Sequence, residues 1–284
     1  MLPIVGSLVV IASVLGGFVL SHGQIMALWQ PYELLVIGGA AFGGFLIANP
    51  MKVVKAVFSS VISVLKGPHY KKQSYLEILG LMYELLSTAR KSGMMSLETH
   101  IEDPAASTIF SKYPSIAKDH HLLEFITDCL RMIVSGNMSP HELEPLLDLE
   151  LETHHHEAEA PAHALTRVSD SLPGFGIVAA VLGIVITMGA IGGDIAAVGE
   201  HVAAALVGTF LGILLAYGFV GPLAIAVETV AKADSKAYEC VKMALVANLH
   251  GYNPNIAVEF ARKSLTIDMR PSFSEFEAHL KGAK

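Results

Sequence analysis

The sequence predicts an all-α integral membrane protein with four transmembrane helices, a helical cytoplasmic domain between helices 2 and 3, and a cytoplasmic C-terminal tail. The first observation is composition. The 284 residues are 52% hydrophobic and 16% charged, with a mean hydropathy of +0.53, whereas a soluble domain of this length is more polar. The second is a set of four apolar runs near the ~20 residues with which a helix crosses a bilayer. The third is charge placement, because all 19 Lys and Arg lie at 52–167 or from 232 onward.

The four apolar runs form two pairs. The first pair, at residues 3–20 and 33–48, stands at the N-terminus. The second pair lies within residues 172–225, where a short polar link at 192–201 joins its members. The first run has neither a charged segment before it nor an A-x-A cleavage site, so we expect a retained anchor rather than a signal peptide.

The placement of Lys and Arg predicts the orientation in the membrane. Several lysines follow the second run closely, and the links between paired runs contain no Lys or Arg. By the positive-inside rule both termini are cytoplasmic, and the protein is a multi-pass protein of a bacterial inner membrane. The predicted segments are transmembrane helices 1 and 2 at 1–49, a cytoplasmic helical domain at 50–172, helices 3 and 4 at 173–225, and a cytoplasmic helical tail at 226–284.

Apolar periodicity also predicts helices outside the membrane. Apolar residues recur on one helical face from Tyr75 to Ala89, and Gly93 ends that helix. About the last 15 residues have no strong pattern, so we expect them to be mobile. Three further helices are predicted before the second hairpin: a short one opened by Asp103-Pro104, one from Leu122 that Gly136 stops, and a long one opened by the capping box at Ser139–Glu142. After the hairpin, a helix continues from Pro222 to His250, and another runs from Asn253 through Leu265.

Glycines are spaced for close helix contact in two of the membrane runs. Gly39 and Gly43 form one small-xxx-small pair, and Gly208 and Gly212 form another. Such pairs let helix backbones approach closely in lipid. Such pairs are compatible both with helix contacts inside one chain and with contacts between copies in a homo-oligomer. Of these two interpretations we favour the oligomer.

No motif of enzyme chemistry occurs in the sequence, so we predict that the protein is not an enzyme and needs no cofactor. Cys129 and Cys240 fall in cytoplasmic segments and are expected to be free thiols. His154, His155 and His156 stand among acidic residues, but adjacent residues of a helix point in different directions and chelate one ion poorly. A solvated acidic face is therefore the favoured interpretation, with metal binding as the alternative.

The second membrane hairpin lacks a titratable membrane group. Residues 172–225 contain no Lys or Arg and no acid away from the link, and the polar side chains inside the runs are Thr187, Thr209 and Tyr217. Ionisable groups inside a bilayer are usually functional, so a carrier of protons or cations would need a carboxylate from elsewhere. The hairpin is then either a structural anchor or half of an ion path completed by a partner. Each threonine either lines that path or bonds its own i−4 carbonyl.

A second candidate site is charged. Arg90, Lys91 and Glu98 flank Gly93 at the end of the predicted helix. They form either an ordinary helix terminus with a favourable cation or a surface that docks a partner by complementary charge.

The segments LLSTARKSGMMSLETHIEDP, SDSLPGFGIVAAVLGIVITMG and ALVGTFLGILLAYGFVGPLA resemble the MotA family of bacterial flagellar stator subunits. The order of two helices, a domain, two helices and a tail resembles it as well, over essentially the whole chain. The resemblance implies that Arg90, Glu98 and Glu150 face the rotor switch protein FliG, which makes 50–172 the rotor-facing domain. Nothing in this pattern implies a nucleic-acid partner.

The resemblance also assigns roles in the membrane. It implies that Pro173 and Pro222 couple ion passage to movement and that Thr209 faces the membrane aspartate of a single-pass MotB-like partner. Ala180 and Gly208 occupy positions where sodium-driven relatives carry hydroxyls, which favours protons as the coupling ion. Five A subunits around two B subunits would form the complex. An ExbB/TolQ-type energiser of outer-membrane processes is the alternative, although its large domain follows the first of three helices, and a plain membrane scaffold is a third possibility.

Overall fold

The computed structural model describes residues 2–136, 139–189 and 195–282, and the regular elements among them are helical. The α-helices are α1 (Leu2–Leu20), α2 (Pro31–Ala48), α3 (Met51–Lys66), α4 (Lys72–Ser92), α5 (Glu98–Glu102), α6 (Pro114–Ala117), α7 (His120–Ser135), α8 (Pro140–Gly189), α9 (Ile195–Leu215), α10 (Gly221–Leu249), α11 (Pro254–Ser264) and α12 (Phe273–Gly282). The chain divides into two compact units, one of residues 1–67 and 159–230 and one of residues 68–158 and 231–284. We call them the membrane unit and the extramembrane unit.

Four helices are long and apolar enough to cross a membrane, as the sequence predicts. They are the segments Leu2–Leu20, Ile25–Ala48, Pro140–Gly189 and Val198–Leu249. The last two are longer than a bilayer requires, because each apolar run continues without a break into a polar helical extension. Part of the polar link, at 190–194, lies outside the described residues.

The membrane unit is held by two small clusters of buried side chains. One joins Val54, Val57 and Val64 of α3 to buried residues of α8 and α10. The other joins Ile37 and Ala41 of α2 to the α8–α9 hairpin. Most remaining apolar side chains of this unit are exposed in the isolated chain, as expected for surfaces that face lipid or other membrane helices.

The extramembrane unit has a continuous hydrophobic core. The predicted face of α4 is buried along its whole length, from Tyr75 at 2% exposure to Ala89 at 6%. Gly93 follows the helix with φ +85°, and Gly136 ends α7 in the left-handed conformation. These helix ends confirm the predictions, because glycine adopts a positive φ without a steric penalty.

The predicted start of the long helix α8 is also confirmed. It begins at Pro140, and the carboxylate of Glu142 accepts hydrogen bonds from the Ser139 amide and hydroxyl, each at 2.8 Å. Asn253 likewise caps α11 by accepting a hydrogen bond from the Ile256 amide at 2.9 Å.

Two local predictions are wrong. Asp103-Pro104 opens no helix: Asp103 instead accepts a hydrogen bond from the Ala106 amide at 3.1 Å and forms a turn, which is the competing local use of an Asp side chain. The C-terminal residues form α12 where mobility is expected. Ser272 and Glu275 cap this helix reciprocally, at 2.6 and 3.2 Å, and this S-x-x-E pattern is visible in the sequence.

Candidate functional site

The α8–α9 hairpin is joined by a seam of glycines. A Cβ built on Gly212 would lie 2.7 Å from the Leu172 carbonyl oxygen and 2.9 Å from the Gly176 Cα, and one on Gly176 would lie 3.0 Å from the Gly208 carbonyl oxygen. Helix backbones therefore touch here, as the Gly208–Gly212 spacing predicts. By contrast, a Cβ on Gly39 or Gly43 of α2 would meet nothing within 4 Å.

The two threonines of the hairpin have different environments. Thr187 is 6% exposed, and its hydroxyl donates to its own i−4 carbonyl, Gly183, at 2.8 Å. Thr209 is half-buried beside the glycine seam, and no hydrogen bond of its hydroxyl occurs within the part of the chain that the structure describes. Thr209 thus retains a hydroxyl for a group outside the described chain, whereas the Thr187 hydroxyl is already satisfied.

Pro173 lies inside α8, and Pro222 is the second residue of α10. The five residues before α10, Ala216–Val220, form a π-helical turn, a local widening that frequently marks functional sites. Neither proline has an N–H, so each removes one donor from the backbone hydrogen bonding of its helix.

Ser169 connects these two irregular places. Its buried hydroxyl donates to the carbonyl of Ala216, the first residue of the π-helical turn, at 3.0 Å. The space around Ser169 is tight, because a Cβ on Gly221 would lie 3.1 Å from the Ser169 hydroxyl oxygen and 3.0 Å from the Ala216 carbonyl oxygen. The segments that carry the two prolines therefore lie side by side in the hairpin.

Glu33 reaches the hairpin from α2. It stands in the first turn of α2, and its Oε2 is buried without a hydrogen-bond partner in the described structure. This oxygen lies 2.9 Å from where a Cβ on Gly208 would stand. Sequence analysis places Glu33 only near the end of a run, because nothing in the sequence shows which helix its side chain will contact.

The two remaining candidate membrane residues are less buried. Ala180 is half-buried on α8, and Tyr217 lies in the π-helical turn with 67% of its side chain exposed. The structure thus brings Thr209, Gly208 and the two proline segments together along the hairpin. Tyr217 points away from the buried contacts, toward the surroundings of the isolated chain.

The charged candidates lie in the extramembrane unit. Arg90 is in the last turn of α4 and Glu98 opens α5, and a single 3₁₀ turn after Gly93 separates them. Both side chains are exposed, and neither has an ion-pair partner in the described chain. Glu98 borders a groove that also contains Arg131, which bonds Glu102 and Asp128 at 3.2 and 2.7 Å.

Glu150 and the histidine cluster occupy a separate groove, between α7 and α8. It is lined by Glu124, Asp128, Glu150 and Glu157, with His121 and His154 at its sides. The His154 ring stacks on Tyr238 with 3.8 Å between centroids, and His156 lies 3.8 Å from Glu152. Among the residues described, no three candidate ligands are grouped as a metal ion would require.

Comparison with known proteins gives the class. A family model for the N-terminal part of motility protein A matches residues 4–93, and one for the MotA/TolQ/ExbB proton channel family matches residues 117–239. The chain is 47% identical to motility protein A of Salmonella typhimurium over 284 residues, which cover 100% of this chain and 96% of that protein. It is 44% identical to chemotaxis protein LafT of Vibrio parahaemolyticus, with 97% and 96% covered.

Solved structures of low sequence identity share the fold. The C. jejuni MotAB structure superposes with a TM-score of 0.74 at 19% identity, covering 95% of this chain and 98% of that one. The flagellar MotAB stator complex from Bacillus subtilis gives 0.69 at 23% identity, covering 99% and 98%. By fold and site the chain is a multi-pass membrane subunit of the proton-channel class that includes flagellar stators. It belongs to the motility protein A family.

Proposed function

We propose that this chain is the A-type subunit of a flagellar stator that conducts protons together with a single-pass B-type partner and converts their flow into torque. One observation carries the proposal: the membrane portion of the α8–α9 hairpin contains no Asp, Glu, Lys, Arg or His from 172 to 189 and from 202 to 225. Proton transfer through a bilayer needs a group that titrates. Glu33, which contacts the hairpin, stands in the first turn of α2 at the end of that crossing, so we infer that the partner supplies the titrating group within the bilayer, as a membrane aspartate.

The niche for that aspartate lies along the hairpin. Thr209 offers a hydroxyl that nothing in the described chain satisfies, and Ala180 and Tyr217 complete the lining. Thr187 lies behind this surface, because it is buried and its hydroxyl donates to the Gly183 carbonyl. Protonation removes the charge of the aspartate together with its desolvation cost, so the preferred contacts of the partner helix change. The proton enters from outside and leaves to the cytoplasm, where both termini lie. No metal or organic cofactor takes part.

The prolines convert this change into movement. Pro173 and Pro222 each remove one donor from the backbone hydrogen bonding of their helices, and the Ser169 hydroxyl links α8 to the π-helical turn before Pro222. Such places let a helix bend with little loss of hydrogen bonding. One elementary charge crossing 100 mV releases only ~2.3 kcal/mol, so each step is small.

The assembly that we propose is the one that the resemblance to flagellar stator subunits implies. Five copies of this chain surround two B-type subunits and rotate about them. Arg90 and Glu98 are exposed and have no ion-pair partner within the described residues. Together with Glu150 in the neighbouring groove, they contact the rotor switch protein FliG by complementary charge. Within the predicted segment 50–172, residues 68–158 belong to the extramembrane unit and are the rotor-facing part; 173–225 line the ion path, 1–49 anchor the subunit, and 226–284 form the helical tail.

Replacing Pro173 with alanine tests the coupling role. The alanine would restore the N–H that Pro173 lacks and close the gap in α8, so we expect non-motile cells whose stators still assemble around the motor. Pro161→Ala is the matched control, because Pro161 is a buried proline of the same helix outside the hairpin, and it should keep motility. Swimming speed and recruitment of a fluorescently tagged stator are the measurements. Normal torque in Pro173→Ala would contradict the proposal.

A further inference from the structure

The helix α3 presents three distinct faces. Val54, Val57 and Val64 are buried at 5–7% exposure in a cluster with α8 and α10. A second face is apolar and uncovered in the chain, where exposure ranges from 52 to 63%. The third face is polar, and α3 contains no Asp or Glu. The uncovered apolar residues are Met51, Phe58, Ile62 and Leu65.

The uncovered apolar face is a narrow stripe with basic residues along one edge. At ~100° per residue, the four apolar positions fall within an arc of about 60°, and Lys55 and Lys66 occupy the next ~40°. Both lysines are exposed, and neither forms an ion pair within the described chain. Lysine beside an exposed apolar stripe is the composition of a helix that lies in a membrane interface.

The position of α3 in the chain places its first residue close to the end of a membrane crossing. α2 ends at Ala48, and Asn49 and Pro50 separate it from Met51. Three peptide units span at most ~11 Å, so α3 starts within that distance of the end of a membrane-crossing helix. Asn49 bonds the Phe45 carbonyl at 2.8 Å, and Pro50 is extended, so the chain turns sharply at this point.

We propose that α3 is an interfacial helix that selects anionic phospholipids. Phe58 and Ile62 enter the outer part of the acyl region. Lys55 and Lys66 extend past them to phosphate-bearing headgroups, as long basic side chains do at such interfaces. Each lysine near an anionic surface favours binding by about fivefold. This surface is separate from the ion path, and its test does not depend on proton conduction.

The test measures which lipid lies next to α3 in the full-length chain. The protein has one tryptophan, Trp29, so Trp29→Phe with Phe58→Trp places a single fluorophore on the stripe. The chain is reconstituted in equal mixtures of phosphatidylglycerol and phosphatidylcholine, with bromine quenchers on the acyl chains of one lipid or the other. We expect stronger quenching by brominated phosphatidylglycerol, with a several-fold local enrichment that falls as salt concentration rises.

Lysine variants show whether the proposed charges cause the preference. Lys55→Gln with Lys66→Gln should make the two lipids quench equally, and each single variant should lose part of the preference. Lys91→Gln with Lys118→Gln, two exposed lysines of the extramembrane unit, should leave it unchanged. Equal quenching with all lysines present, or a preference that survives their removal, would overturn the proposal. Absence of quenching by either lipid would also overturn it and would indicate that protein, such as a second copy of the chain, covers the stripe.

Discussion

The membrane unit and the extramembrane unit are both helical, but different contacts hold them together. Of the twelve largest fully buried side chains in the described structure, eleven lie in the extramembrane unit and Ile37 alone lies in the membrane unit. The membrane unit instead has backbones in contact at Gly176, Gly208 and Gly212. Large buried side chains dominate the extramembrane unit, whereas the membrane unit combines two small side-chain clusters with direct backbone contact at glycines.

The difference follows from the solvent that each unit faces. In water, burying apolar surface is favourable by roughly 25 cal/mol per Å², so packing Leu, Ile and Phe between helices stabilises the extramembrane unit. In lipid, that gain is absent between helices, and close packing and hydrogen bonds take its place. The glycine seam and the Ser169–Ala216 hydrogen bond are contacts of this second kind.

The largest expected effect is on the extramembrane core. Leu85 is fully buried, and Leu85→Ala should lower the free energy of unfolding by about 2–5 kcal/mol because it removes apolar contacts and leaves a cavity. Leu149, which is 59% exposed in the same unit, is the matched control, and Leu149→Ala should change stability by no more than ~0.5 kcal/mol. Denaturant titration of the detergent-solubilised chain measures both. Equal losses would mean that the two leucines are not in different environments.

The second largest expected effect is a difference in stability between substitutions in the Gly208–Gly212 pair and in the Gly39–Gly43 pair. Gly212→Ala should destabilise by about 1–3 kcal/mol, because the new methyl group would meet backbone atoms that cannot move aside. Gly43→Ala meets nothing within 4 Å in the chain and should be neutral or gain up to ~1 kcal/mol of helix propensity. Thermal melting in detergent gives the comparison. A large loss for Gly43→Ala would show that a second chain covers α2.

The smallest effect concerns an ion pair of the extramembrane unit. A hydrogen bond from Lys72 at 2.8 Å, together with those from Ser272, lowers the pKa of Glu275 from its ordinary value of 4.5 to about 2. A carboxyl whose pKa is lower in the folded state stabilises fully above its unfolded pKa and loses this contribution as the pH falls through the folded one. The difference in melting midpoint between the native chain and Glu275→Gln should therefore be constant above about pH 5 and shrink from pH 4.5 toward 2. A gap unchanged at about pH 2.5 would contradict the lowered pKa.

Local patterns in the sequence predict the structure correctly where neighbouring residues decide it. The buried face of α4, the stops at Gly93 and Gly136, and the cap at Ser139 all depend on residues within one or two turns of one another. The Asp103-Pro104 error shows the limit of such patterns, because the same residues suit a turn as well as a helix start. The S-x-x-E capping pair at Ser272 and Glu275 is present in the sequence, but the weak apolar pattern around it does not predict a helix.

The sequence by itself determined the four helices that are long and apolar enough to cross a membrane, and the absence of acidic and basic residues from the apolar runs of the second hairpin. These follow from composition and from the fixed rise of a helix, which need no knowledge of what touches what. Only the tertiary structure decided that the Thr187 hydroxyl bonds a carbonyl of its own helix while the Thr209 hydroxyl does not. It also decided that Glu33 reaches Gly208 and that Ser169 bonds a carbonyl 47 residues away. The physical reason is that contacts between helices depend on how each helix is rotated and where it crosses its neighbour, and those choices are made by packing along the whole chain.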